Sequence, residues 1–152
     1  STDPRFMDNH DGTITDLKAG LMWKAEDFFQ EKQQWMNWEE AQGYIKKLNA
    51  EKFAGYDNWR LPSRKEMEML YEEEKTIPWK YYWNILSVHM DPIFGNKSCC
   101  FWTSEEYKGI YAYGFNFTRG QAYPSLKNGE HASSLSLTVA WVMRTAKPAP
   151  KP

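Results

Sequence analysis

The stretch Gly55-Tyr-Asp-Asn-Trp-Arg-Leu-Pro-Ser-Arg-Lys-Glu66 holds a turn, a short extended segment and a helix start in twelve residues. Trp59 and Leu61 alternate with Arg60, so we expect both apolar side chains to be buried and Arg60 to bridge to a carboxylate or to loop carbonyls. Pro62 disfavours helix in the residue before it, and a serine follows that can cap a helix. The stretch therefore predicts an extended segment that turns into a helix at 63, with Glu66 completing a capping box.

Outward from this stretch, caps and periodicity predict the other elements. Asn37 and Glu40 form a second capping box, which starts a helix that ends near Ala50. Asp-Gly at 11–12 predicts a hairpin. The remaining strands are expected at 21–24, 101–103, 111–117 and, as one central strand, 138–144. Residues 75–98 show no regular pattern and are expected to be irregular. The order of strands, two helices, long loops and strands predicts an α+β fold with an antiparallel sheet.

Composition limits the class of protein. The chain has 152 residues, 41% of them hydrophobic and 26% charged, with 8 Trp, 9 Tyr and 8 Phe, which predicts one globular domain over 1–145 and a proline-rich flexible tail over 146–152. No apolar run is long enough for membrane insertion. A net charge of −1 argues against nucleic-acid binding. Residues 1–74 carry −6 and residues 75–152 carry +5. Either the second half faces an anionic partner, or its basic residues are simply scattered.

Four islands of sequence together resemble one bacterial family. They lie at 5–16 with 20–23, at 38–41, at 55–66, and at 101–104 with 141–144. They are similar to the C-terminal domain of the Legionella collagen-like adhesin. The resemblance implies a C-type-lectin-like fold, related to formylglycine-generating enzymes, and an extracytoplasmic adhesin, its signal peptide removed, that binds sulfated glycans. Its signature residues, which we expect to be mainly structural, are Trp23, Trp59, Arg60, Leu61, Pro62, Glu66, Trp102 and Arg144.

No motif in the sequence indicates catalysis. The three histidines lack metal-ligand spacing, and no nucleophile elbow, phosphate loop or EF-hand occurs. We therefore expect no catalytic residue, no metal and no cofactor. Cys99 and Cys100 are adjacent, unlike the separated pair of the formylglycine-generating relatives. Neighbours on a strand point to opposite faces, so we expect one buried and one half-exposed thiol, with a vicinal disulfide or an intermolecular bridge as the alternatives.

The candidate binding surface is the aromatic segment 75–83. Its rings offer faces for sugar C–H groups, and its lysines offer contacts for sulfate or carboxylate. The alternatives are that the rings form a satellite core or anchor a protein partner. The candidate residues are Lys75, Trp79, Lys80, Tyr81, Tyr82 and Trp83. Further cations that could extend the surface are Lys97, Lys108, Arg119 and Lys127.

The sequence thus predicts a non-enzymatic, extracytoplasmic binding module that recognises surface or sulfated glycans. The alternative is a protein–protein accessory or assembly subunit of a cell-surface or periplasmic complex.

Overall fold

The computed structural model describes residues 4–27, 36–81, 83–95, 97–128, 138–139 and 141–146. Most of the predicted tail, 147–152, lies outside these residues. The helices are α1 (Trp38–Ala50) and α2 (Arg64–Leu70). The strands are β1 (Phe6–Asp8), β2 (Thr13–Asp16), β3 (Leu21–Lys24), β4 (Ile77–Tyr81), β5 (Asn84–Val88), β6 (Cys100–Tyr107), β7 (Tyr111–Asn116), β8 (Gln121–Leu126), β9 (Thr138–Val139) and β10 (Met143–Thr145). The prediction of an α+β fold is confirmed. No described helix is long and apolar enough to cross a bilayer.

Both predicted capping boxes are confirmed. The Asn37 side chain accepts from the backbone N–H of Glu40, whose carboxylate accepts from the N–H of Asn37. The same reciprocal pair joins Ser63 and Glu66 at the start of α2. Each box satisfies backbone N–H groups that a helix start leaves unpaired. The two helix starts therefore follow from local sequence alone.

The first four-stranded sheet has the order β1-β2-β3-β10 and is antiparallel throughout. The predicted N-terminal hairpin is confirmed as β1 and β2, with Gly12 at a positive φ of 88° in the connection. Ile14, Trp23 and Met143 are aligned in register on one face of this sheet and are buried in the main hydrophobic core. The first three strands of the chain thus share one sheet with β10, the last strand.

The predicted central strand at 138–144 is wrong. β9 pairs in parallel with β6 in a second sheet of order β8-β7-β6-β9, whereas β10 pairs with β3 in the first sheet. Trp141 lies between the two strands, fully buried, and its ring nitrogen donates to the carbonyl of Lys24 at 2.6 Å. The apolar run 138–144 therefore connects the two sheets. Because this connection is buried on both sides, its sequence is as apolar as that of a central strand.

The prediction that 75–98 is irregular is also wrong. β4 and β5 pair as an antiparallel hairpin, and Pro92–Phe94 forms a short 3-10 turn. Ile77 and Val88 face each other at the base of the hairpin and are buried, whereas Asn84 to Ser87 are exposed. The outer part of the hairpin buries so little apolar surface that it lacks the alternation by which strands are recognised. Pro78 fits here because a two-stranded sheet has only edge strands.

Candidate functional site

A groove of about 530 Å³ runs between the β4–β5 hairpin and the second sheet. The hairpin contributes Trp79 and Leu86, which are paired directly across the two strands and so lie on one face. Trp79 is half-buried against the main core, which fixes its ring beside the groove. The apolar wall therefore consists of the half-buried Trp79 and of Leu86, which is 38% exposed.

The floor of the groove includes a disulfide between Cys99 and Cys100. Both cysteines are buried, so the expectation of two free thiols, one of them half-exposed, is wrong and the vicinal alternative is correct. Cys99 lies at a bend and only Cys100 belongs to β6. The rule that neighbours on a strand point apart therefore does not apply to this pair. A disulfide presents an apolar, polarisable surface to whatever occupies the groove.

Polar side chains form the rim opposite the hairpin. Asn116 ends β7, and its Oδ1 accepts from the backbone N–H and the hydroxyl of Thr118 at 2.8 and 2.7 Å. Arg119 is exposed on the rim and has no ion pair with any residue in the described part of the chain. His89, which directly follows β5, also lines the groove. The groove thus combines an apolar wall and floor with an amide, a hydroxyl and one unpaired cation.

The structure separates the residues of the predicted aromatic site. Trp79 lines the groove, whereas Lys80 pairs with Ile85 on the opposite face of the hairpin. Trp83 lies at the hairpin end and is 87% exposed. The Nζ of Lys75 lies 2.8 Å from Asp91 and 3.0 Å from Glu72, so its charge is already balanced within the fold. The side chain of Tyr81 and all of Tyr82 lie outside the described residues.

The further cations do not converge on one surface. Lys97 is fully buried, Lys127 is paired with Glu106, and the ammonium of Lys108 lies over the Tyr107 ring at 5.2 Å. Only Arg119 among them reaches the groove. Seven other residues that line the groove were not predicted as site residues from the sequence: Leu86, Ser87, His89, Cys99, Cys100, Asn116 and Thr118. Among these seven, only the adjacent cysteines stand out in the sequence.

The signature residues have clear structural roles. Arg60 donates through both terminal nitrogens to Glu66 at 2.8 Å, which makes the predicted bridge a bidentate pair. Burial raises the pKa of Glu66, but the hydrogen bonds from Arg60 and Ser63 and the Arg60 charge outweigh it, so the pKa lies below its ordinary value. The remaining members are all buried: Trp23, Trp59, Leu61, Pro62, Trp102 and Arg144.

No three side chains of the types that hold metal ions come together within the described ranges. The groove has an apolar wall, hydrogen-bonding groups and one cation, which are the kinds of surface that ligand-binding sites contain. The chain belongs to the Lcl C-terminal domain family, whose model matches residues 12–136. Membership of this family indicates an adhesin-like extracellular module. No curated protein matches the chain. The wider C-type-lectin-like relationship stays a prediction.

Proposed function

We propose that this domain is a non-enzymatic, extracytoplasmic binding module that takes an anionic sugar unit of a surface or sulfated glycan into the groove beside the β4–β5 hairpin. The observation that carries the proposal is that one groove is lined both by the half-buried Trp79 ring and by Arg119, whose guanidinium has no ion pair among the described residues. A sugar ring has apolar C–H faces and polar edges, so it needs both surfaces at once.

The chemistry of the groove gives each residue a defined part. The C–H face of the sugar packs on Trp79, with Leu86 beside it. Sugar hydroxyls exchange hydrogen bonds with Asn116 and Thr118, whose mutual hydrogen bond holds the amide in place. A sulfate or carboxylate group pairs with Arg119, whose planar fork matches either anion. The proposed site therefore retains Trp79 from the predicted segment 75–83, but its cation is Arg119 and not Lys75.

The extracytoplasmic setting has support of its own. Disulfides persist mainly in oxidising compartments outside the cytosol. The Cys99–Cys100 disulfide and the adhesin family therefore favour the same location.

The test measures binding of the purified domain to heparin and to chemically desulfated heparin, at low and physiological salt, with and without calcium. Arg119→Gln is compared with Lys46→Gln, which removes the same charge from an exposed site on α1. We expect calcium-independent binding that weakens as salt rises and is lost in Arg119→Gln but kept in Lys46→Gln. Equal binding of the two variants would refute the anionic site. Equal binding of the two glycans would refute sulfate as the bound group and leave the carboxylate, which desulfation does not remove.

The alternative function, a protein–protein accessory or assembly subunit, rests on a separate observation. Trp83 and Ile85 near the hairpin end are 87% and 74% exposed, and large apolar side chains of this kind anchor protein interfaces. Such a contact is insensitive to salt. Trp83→Ala keeps the buried base of the hairpin intact, so loss of a salt-insensitive interaction with an envelope protein in this variant alone would favour the alternative.

A further inference from the structure

A second cavity, of about 540 Å³, lies on the outer face of the first sheet and shares no lining residue with the groove. Its floor is a row that crosses all four strands in register: Met7, Thr15, Met22 and Arg144. The segment 55–58 forms the facing wall. The cavity thus places one cation at the end of a floor that contains two methionines.

The wall segment is held in a fixed shape. Asn49 of α1 accepts from the backbone N–H of Trp59 at 2.7 Å and donates to its carbonyl at 3.0 Å. The Trp59 ring nitrogen donates to the carbonyl of Phe53 at 3.0 Å. Gly55 adopts a positive φ of 88°, which a glycine takes without strain. The cavity is therefore preformed and does not need a ligand to shape it.

Arg144 differs from the other arginines that the structure packs into the fold. Arg5, Arg60 and Arg64 each pair with a carboxylate, namely that of Asp16, Glu66 or Glu105. Arg144 is only 5% exposed and has no carboxylate partner among the described residues. A buried guanidinium without a counter-charge is costly, so the cavity favours an anion at this position.

The hydrogen bonds of Arg144 show where an anion fits. Its Nε donates to Oδ1 of Asn58 at 2.7 Å, and one face of the guanidinium lies 3.9 Å from the centre of the Tyr56 ring. Among the described residues, the terminal nitrogen Nη1 has only the sulfur of Met22, at 3.7 Å, as acceptor. A thioether is a weak acceptor, so the Nη edge offers a fork that a planar carboxylate can satisfy with two hydrogen bonds.

We propose that this cavity binds a small carboxylate with an apolar body. The carboxylate pairs with Arg144, and the apolar body lies over Met22 and Met7 toward Leu17 at the mouth. Met7 and Leu17 line the cavity and are 47% and 57% exposed, so they offer an apolar surface that the body of the ligand can cover. Asp57 also lines the cavity, so a ligand with a single anionic end fits better than a polyanion.

Two sources can supply this chemistry, the free C-terminus of a peptide and an aliphatic acid. Calorimetry with N-acetyl-Leu-Phe against its C-terminal amide tests the first, and hexanoate against hexanamide tests the second. We expect at least one acid to bind about tenfold more tightly than its neutral partner, because a bidentate pair with arginine is lost in the amide. Equal binding of acid and amide, or no binding of any of the four, would overturn the proposal.

Variants then place the ligand in the cavity. Arg144→Gln should abolish the preference for acid over amide. Leu17→Glu puts a carboxylate at the mouth and should weaken the acid by about fivefold or more through repulsion between like charges. Ile110→Glu, at a site 60% exposed that does not line the cavity, is the matched control and should change nothing. If Arg144→Gln fails to fold, Leu17→Glu still decides: unchanged acid binding in that variant contradicts the site.

Discussion

Replacement of Lys97 by methionine tests the electrostatics of the core most directly. The Lys97 side chain is fully buried, and its Nζ donates to the carbonyls of Ala25 and Phe94 at 2.7 and 2.9 Å. A carboxylate oxygen of Asp27 is 4.0 Å from this Nζ, and the Trp141 ring centre is 4.9 Å away. Burial lowers the pKa of Lys97 from 10.5 to about 8, against the attraction of Asp27. Methionine is also unbranched, is one atom shorter and removes the charge.

The sign of the effect follows from proton binding. Between about pH 8 and pH 10.5 the unfolded chain holds a proton on Lys97 that the folded chain has released. The free energy of unfolding therefore rises with pH across this window in the wild type. A pKa difference of about 2.5 corresponds to roughly 3 kcal/mol at about 1.4 kcal/mol per pKa unit. Lys97→Met has no ammonium group to deprotonate between these pH values, so its free energy of unfolding lacks this rise with pH.

Urea unfolding followed by tryptophan fluorescence, at about pH 7, 9 and 10.5, measures the effect. We expect the stability of the wild type minus that of Lys97→Met to increase by roughly 3 kcal/mol from the lowest pH to the highest. Lys80→Met, on the exposed side of the hairpin, is the control and should show no such increase. The sign of the difference at one pH is not diagnostic, because methionine removes both a desolvation penalty and two hydrogen bonds. A difference that stays constant across the range would refute the assigned burial of the charge.

Three further predictions concern stability and use the same urea assay. Gly43→Ala should stabilise the domain by about 0.5–1 kcal/mol, because Gly43 lies inside α1 with open space around the added methyl group. Gly114→Ala should destabilise it by about 1–3 kcal/mol, because the methyl group would lie 2.6 Å from the Tyr123 ring. Glu66→Gln should cost about 1 kcal/mol near neutral pH and progressively less as pH falls below the ordinary pKa of 4.5, because the stabilisation from its lowered pKa is lost on protonation. An equal cost at neutral and acid pH would contradict the paired state of Glu66.

Local signals in the sequence predict local structure well. The Asn37 and Ser63 capping boxes are correct because each needs only residues three apart, and the hairpin at Gly12 is correct because one dipeptide sets the turn. The run 138–144 failed for the opposite reason. Its pairing partners, β6 and β3, lie far away in sequence, and apolar residues at a crossing between two sheets have the composition of a central strand.

The candidate groove was only partly predictable. Sequence pointed to Trp79 by its aromatic neighbours, but the strand register that puts Lys80 on the other face is set by the β4–β5 pairing. The contribution of Arg119 depends on the turn after β7 meeting the hairpin, which no local pattern encodes. The rule about neighbouring cysteines was sound for a strand and failed because Cys99 precedes β6. A site formed by segments that are distant in the sequence cannot be predicted from local patterns.

The charge of +5 on residues 75–152 also has a different meaning in the structure. Lys75 and Lys127 are paired with carboxylates, and Lys97 is buried within 4.0 Å of Asp27. Three of the nine cations in this half are therefore engaged within the fold, whereas Lys80, Lys108 and Arg119 are exposed. Arg119 remains as the one arginine that lines the groove. Binding of a sulfated chain at the groove should then depend on salt as a single ionic contact does, with one anionic group held per domain. A much steeper dependence would mean that the glycan is bound by a cationic surface elsewhere on the molecule.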